Sequence, residues 1–226
     1  MRALLIDRDK SFHQGFSFFL KNKGFVVDSA LTGDEGTEFI RLYSYDIILL
    51  ALELPDMGGT DMLKKMRATG VETPVIVLSG ITAVSKKVEC FSLGADDYVV
   101  KPCDRNELFA RIQAVTRRSR GYAHPVVRVG KMEINLDTKV VKIANKVLPL
   151  TGKEYSLLEL LCLRRGMTVS KEQFLNHLYG GMDAPEMKII DVFLWRIRHK
   201  IEQLSGGEQY IQTVWGRGYI LQESLN

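Results

Sequence analysis

Short aliphatic runs alternate with amphipathic stretches over the first half of the chain. Arg2–Asp7, with Ala3, Leu4, Leu5 and Ile6 in succession, then Phe25–Ser29, Asp46–Leu50, Pro74–Leu78 and Asp97–Val100 read as five strands. Between and after them, Lys10–Lys23, Gly33–Tyr43, Thr60–Arg67, Val84–Leu93 and Asp104–Arg118 read as helices. Phe12, Phe16, Phe19 and Leu20 recur at helical spacing and Gly24 ends the first helix. Strands apolar on both faces, alternating with helices, predict a parallel sheet covered on both sides.

The pattern changes at Arg117–Pro125, where basic residues, Gly and Pro carry no apolar periodicity. That stretch predicts a linker over 120–125 between a first domain, 1–119, and a second, 126–226. Val126–Leu150 holds short β-rich runs broken by Asn135 and Asn145. Thr151-Gly152-Lys153-Glu154 and Ser170-Lys171-Glu172-Gln173 are capping boxes, each opening a helix. A longer helix is expected from Pro185 to Leu204, with Met187, Ile190, Leu194, Ile197, Ile201 and Leu204 on its core face. Ile211–Val214 and Tyr219–Leu221 predict a hairpin around Trp215-Gly216-Arg217-Gly218. Three helices and a hairpin predict a winged helix-turn-helix.

Composition narrows the function classes. In 226 residues, 46% are hydrophobic and 26% charged, which excludes bulk disorder, collagen-like repeats and low-complexity segments. The longest apolar run, Ile47–Leu52, is far short of the ~20 residues that span a bilayer. Acid follows so soon after Met1 that no signal peptide is expected, and the protein is expected in a bacterial cytoplasm, without a membrane partner. Cys90, Cys103 and Cys162 form no metal or redox motif and are expected as buried thiols. No nucleophile–base pair and no Gly-rich phosphate loop is visible, so no enzyme is expected.

The net charge of +4 matters through its placement: residues 1–120 carry 17 basic and 16 acidic side chains, the remainder 14 and 11. Within Lys188–Lys200, Lys188, Arg196, Arg198 and Lys200 stand with one acid, Asp191. Opposite the apolar stripe stand Lys188, Asp191 or Val192, Trp195, Arg196 and His199. With Arg198, this face fits a DNA major groove. Arg217, between two glycines at the hairpin tip, fits a minor groove.

Thr151–Tyr155, Ile190-Asp191-Val192, Arg196-Ile197-Arg198 and Thr213–Tyr219, together with Phe174–Asp191, make the second half resemble the effector domain of OmpR/PhoB-family response regulators. The first half resembles that family's receiver. The fold class implied is α/β: a doubly wound, flavodoxin-like or CheY-like receiver with strand order 2-1-3-4-5, followed by an α+β winged helix-turn-helix. The resemblance implies a double-stranded DNA partner with repeated half-sites and RNA polymerase as a further partner.

It also implies a receiver pocket with an acceptor carboxylate after the third strand, two acids holding Mg²⁺, a Thr or Ser, and a Lys. Matched to that pattern, the acceptor position is Ala51, the acid pair is Asp7 and Arg8, with Asp9 displaced by one, Ser79 takes the hydroxyl position, Lys101 the lysine and Tyr98 the switch aromatic. A methyl group forms no acyl phosphate, and Arg8 replaces a metal ligand with a fixed cation, so Mg²⁺ binding is expected to be weak or absent. The Arg8 guanidinium is expected in the cation's place beside Asp7 and Glu53, with Asp56 a poorer partner. A regulator independent of phosphorylation is therefore expected. The alternatives are a pocket that senses a small ligand or a protein partner, or an engineered exchange at position 51 in a phosphorylatable regulator. Arg8 speaks against the last, since an acceptor knockout needs no second change.

The resemblance finally implies a homodimer through the fourth helix, fifth strand and fifth helix of the receiver. The residues carried over are Lys87 with Glu107, Asp97 with Arg111, and Asp96 with Arg118, each pair of opposite charge.

Overall fold

The computed structural model describes residues 1–179 and 185–222, and divides into two compact units, Met1–Tyr122 and Ala123–Asn226. The division falls within the expected linker. Residues 180–184 of the Phe174–Asp191 motif lie outside the described residues.

The first unit runs β1 (Arg2–Ile6), α1 (Lys10–Asn22), β2 (Val26–Ala30), α2 (Gly33–Leu42), β3 (Ile47–Ala51), α3 (Gly59–Ala68), β4 (Val75–Ser79), α4 (Val84–Ser92), β5 (Asp97–Val100) and α5 (Arg105–Ser119). All five strands are parallel, in the order β2-β1-β3-β4-β5. Alternation along each strand sorts side chains between two cores. Ala3, Leu5, Ile47, Leu49, Ile76 and Leu78 pack with Phe16 and Leu20 of α1 and Leu108, Ile112 and Val115 of α5. Leu4, Ile6, Ile48, Leu50, Val75 and Val77 pack on the other side with Met62, Leu63 and Met66 of α3 and Cys90 of α4. β2 is the exception to the continuous apolar runs: it starts at Val26, not Phe25, and is half-exposed as an edge strand. Asp9, Thr32 and Asp104 cap α1, α2 and α5 through their side-chain oxygens.

The second unit runs β6 (Val126–Val129), β7 (Met132–Asn135), β8 (Val140–Ile143), β9 (Lys146–Val147), α6 (Gly152–Leu163), α7 (Lys171–Tyr179), α8 (Lys188–Ser205), β10 (Ile211–Val214) and β11 (Gly218–Leu221). β6–β9 form an antiparallel sheet and β10–β11 the expected hairpin. Both capping boxes form: Thr151 N–H donates to Glu154 Oε2 at 2.8 Å, and Ser170 N–H to Gln173 Oε1 at 3.0 Å. One core joins the sheet, the three helices and the hairpin through Ile134, Leu158, Phe174, Ile190, Leu194, Ile197 and Tyr219. Two expectations about α8 are corrected. It starts at Lys188, three residues after Pro185, and Met187 at its N-cap is 49% exposed rather than in the core, because it precedes the first helical turn. Cys90 and Cys162 are buried as expected, whereas Cys103 is only partly covered.

Candidate functional site

The receiver residues collect at the C-terminal ends of the strands, where doubly wound sheets bind ligands. Asp7 follows β1, Ala51 and Ser79 end β3 and β4, and Lys101 follows β5. Asp7 is buried. One of its oxygens accepts from Lys101 Nζ, the other from the backbone N–H of Asp9 at 3.0 Å. Lys101 Nζ also sits 4.6 Å from the centre of the Phe12 ring. Arg8 donates to Glu53 at 2.7 Å, with both side chains about 60% exposed. The expected bridge from Arg8 to both Asp7 and Glu53 is therefore corrected: Lys101 takes Asp7, and Arg8 meets Glu53 alone. Asp56 is engaged elsewhere, accepting from Gly33 and Asp34 N–H at 2.8 Å each, and these bonds hold its carboxyl below the usual range. Asp9 is turned to its capping role, where the Phe12 and Ser11 N–H groups lower its pKa. Ser79 Oγ accepts from Ile81 N–H at 3.1 Å, and the buried Tyr98 hydroxyl donates to Ile81 O at 2.8 Å. Ala51 is buried at the pocket floor, and its carbonyl lies so close to α3 that a Cβ on Gly59 would stand 2.2 Å from it.

The six charges expected across a dimer lie on α4, β5, α5 and the turn before β5, and several of them meet partners on their own chain. Arg111 binds Asp97 at 3.0 Å and Glu107 at 2.8 Å. Asp96 accepts from Val75 N–H at 2.8 Å and from Arg67 at 3.3 Å. Lys87 Nζ lies 5.8 Å from the Tyr98 ring centre, and Arg118 is exposed near the end of α5. The charge pattern did not disclose a neighbouring apolar stripe on α4, Val84, Val88 and Phe91, all exposed.

In the second unit, Lys188, Val192, Trp195, Arg196 and His199 are exposed on α8. Trp195 is 63% exposed and stacks flat on His199, ring centres 5.7 Å apart and planes within 1°, while His199 Nε2 is 3.0 Å from Gln203. Arg198 is the correction. It is half-buried, donates to Ile211 O at 2.9 Å and Thr213 Oγ1 at 2.8 Å, and covers the Tyr219 ring. Its guanidinium ties α8 to the hairpin rather than facing outward, and burial lowers its pKa. Lys200 likewise turns in, onto buried Glu154 at 2.7 Å and Pro149 O at 2.9 Å. Asp191 is held by Lys171 at 2.8 Å and by the Tyr219 hydroxyl at 2.6 Å. Together they outweigh burial and lower its pKa, while burial and Asp191 push Tyr219 up to about 12. Arg217 is exposed at the hairpin turn, beside Trp215, 90% exposed. Behind it, Gly218 has φ +137°, and a Cβ there would lie 2.1 Å from Val169 O. Val169 and Tyr219 exchange backbone hydrogen bonds at 2.8 and 3.0 Å, pinning the hairpin to the α6–α7 connection.

Comparison with known proteins agrees with this geometry. The family described as response regulator receiver domain matches residues 3–113, and that described as transcriptional regulatory protein, C terminal, matches 145–221. The receiver domain of Francisella response regulator 1452 superposes with a TM-score of 0.51 at 30% identity, covering 52% of this chain and 98% of that one. Fold and matches define a response regulator with an OmpR/PhoB-type DNA-binding domain. The chain belongs to the family of the cell cycle response regulator CtrA, being 51% identical over 223 residues to that of Brucella ovis, 99% of this chain and 96% of that protein. The Brucella anthropi protein is 50% identical over the same length. The family consists of DNA-binding transcription regulators, not enzymes. No described helix is long and apolar enough to cross a membrane.

Proposed function

We propose that this transcription regulator binds specific DNA as a homodimer without phosphoryl transfer to its receiver. The observation that carries the reading is Ala51 at the end of β3, where the receiver chemistry needs a carboxylate. The pocket fits a divalent cation poorly for reasons of its own donors. Arg8 brings a permanent positive charge to Glu53, and Lys101 already neutralises Asp7. No step through Mg²⁺ is assigned. Ser79 and Lys101, the groups that would meet an anion, are bound to Ile81 and Asp7, which disfavours a small-ligand sensor.

DNA contact is assigned to Lys188, Val192, Trp195, Arg196 and His199 on α8 and to Arg217 on the hairpin, with repeated half-sites matching a dimer. The exposed Val84, Val88 and Phe91 beside the charges of α4, β5 and α5 support self-association through that face. The test is incubation with acetyl phosphate and Mg²⁺, followed by intact-mass measurement and fluorescence anisotropy on a specific and a scrambled duplex. Unchanged mass and unchanged, sequence-selective affinity are expected. A base-labile phosphate on any receiver aspartate overturns phosphorylation independence, and equal affinity for both duplexes overturns sequence-specific binding.

A further inference from the structure

The outward face of α8 is unusual for a surface offered to a polyanion: its middle is apolar. Val192 and Trp195 are both exposed large hydrophobics, one turn apart, and His199 follows one turn later on the same stripe. Lys188 begins that stripe and Arg196 adjoins it, so cations flank an apolar centre. An indole 63% open to water on a helix that buries Ile190, Leu194, Ile197 and Ile201 needs a partner surface.

The chemistry of that partner follows from what the stripe lacks. Val192 offers no hydrogen bond, and an indole offers one N–H donor and no acceptor. Neither side chain makes the bidentate contacts that identify guanine or adenine. In the major groove one base presents an apolar group to such a surface: thymine, through its 5-methyl. The stack supplies the rigidity that discrimination by one methyl requires. Trp195 and His199 lie parallel within 1°, His199 is in turn held by Gln203, and long helical side chains lean toward the N-terminus, carrying His199 onto the indole. A loose tryptophan would lose rotamer freedom on binding, whereas a stacked one loses less.

We infer that Trp195, with Val192, is the specificity-determining surface of α8 and reads thymine 5-methyl groups in the major groove, and that His199 is its positioning residue. The inference rests on the proposed assignment of α8 to the major groove.

The experiment begins with binding-site selection from a random duplex library by the full-length protein. The selected duplex is then resynthesised with deoxyuridine in place of thymine, one position at a time, which removes only the methyl. Anisotropy on these duplexes is expected to find at least one position in each half-site where the exchange weakens wild type about fourfold, as for one buried methyl group. Trp195→Ala is expected to bind more weakly and to treat thymine and deoxyuridine alike there. His199→Phe, which keeps a ring on the indole, should retain the discrimination that His199→Ala reduces. Wild type insensitive to every exchange overturns the inference, as does a methyl preference that survives Trp195→Ala. His199→Phe behaving like His199→Ala overturns the positioning role. If selection enriches no sequence at all, the DNA-reading assignment of α8 fails first, and the two failures are thereby distinguished.

Discussion

Side chains of one type separate into different tasks by what surrounds them. Arg196 and Arg198 are two residues apart on α8, yet one is exposed and the other bonded to Ile211 O and Thr213. Arg198→Ala is expected to destabilise the protein by about 1.5–3 kcal/mol in urea unfolding, the range for hydrogen bonds to a charged group. Arg196→Ala should leave the unfolding midpoint in place, weaken DNA binding, and lower the slope of log affinity against log salt by about one. In the receiver pocket, Ala51→Asp alone is not expected to restore phosphorylation by acetyl phosphate, because Arg8 remains beside Glu53. Ala51→Asp combined with Arg8→Asp should incorporate at least tenfold more phosphate by intact mass. Equal incorporation by the two would show that Arg8 does not oppose the metal.

At the scale of elements, α6 depends on a single carboxylate. Glu154 closes the capping box on Thr151 and receives Lys200 from α8, and these contacts outweigh the opposing effect of burial to hold its pKa below the ordinary value of ~4.3. A group whose folded pKa is depressed stabilises the fold fully above its unfolded pKa and loses that contribution as pH falls through the folded value. Stability should therefore decline below about pH 4.3 on this account. Glu154→Gln should lower stability at pH 7 and flatten that part of the decline, measured as urea midpoints across pH. The capping boxes were legible in the sequence because capping is local chemistry between residues three apart. So were the alternating strands and helices, since their periods are written in contiguous residues. What escaped was non-local. Charge spacing along α8 does not reveal that Arg198 has the Ile211 carbonyl and the Thr213 hydroxyl of β10 within reach. Nor does the order of Asp7 and Arg8 disclose that Lys101, 94 residues on, takes the first. The half-exposed β2 followed the same rule, being decided by neighbours distant in the chain or absent from it, whereas Met187 faces solvent because α8 begins only after it.

At the scale of the whole molecule, dimerisation and DNA reading are the properties to separate. Arg111 already binds Asp97 and Glu107 of its own chain, so a double variant in one chain repairs an internal pair as readily as an external one. Mixing two single variants avoids this. Arg111→Glu mixed with Asp97→Arg should self-associate more strongly in sedimentation than either variant alone, by up to ~1 kcal/mol for an exposed pair. No gain on mixing would place these charges outside the interface. The DNA-binding unit carries a different constraint. Gly218 lets the hairpin backbone close against Val169, and Tyr219 and Arg198 fasten it to α8. Gly218→Ala is expected to disrupt that seating, since the φ of +137° alone costs about 1–3 kcal/mol for a residue with a side chain, before the contact with Val169 O. Fastened in this way, the helix and the hairpin behave as two prongs of one gauge. On the proposed assignment, Arg217 does not search for a groove independently of Trp195. A duplex lengthened by one base pair between their footprints shifts the second contact by about 3.4 Å and rotates it around the axis. The gauge then spans the wrong interval, so the protein should measure the distance between its contacts as strictly as the bases within them.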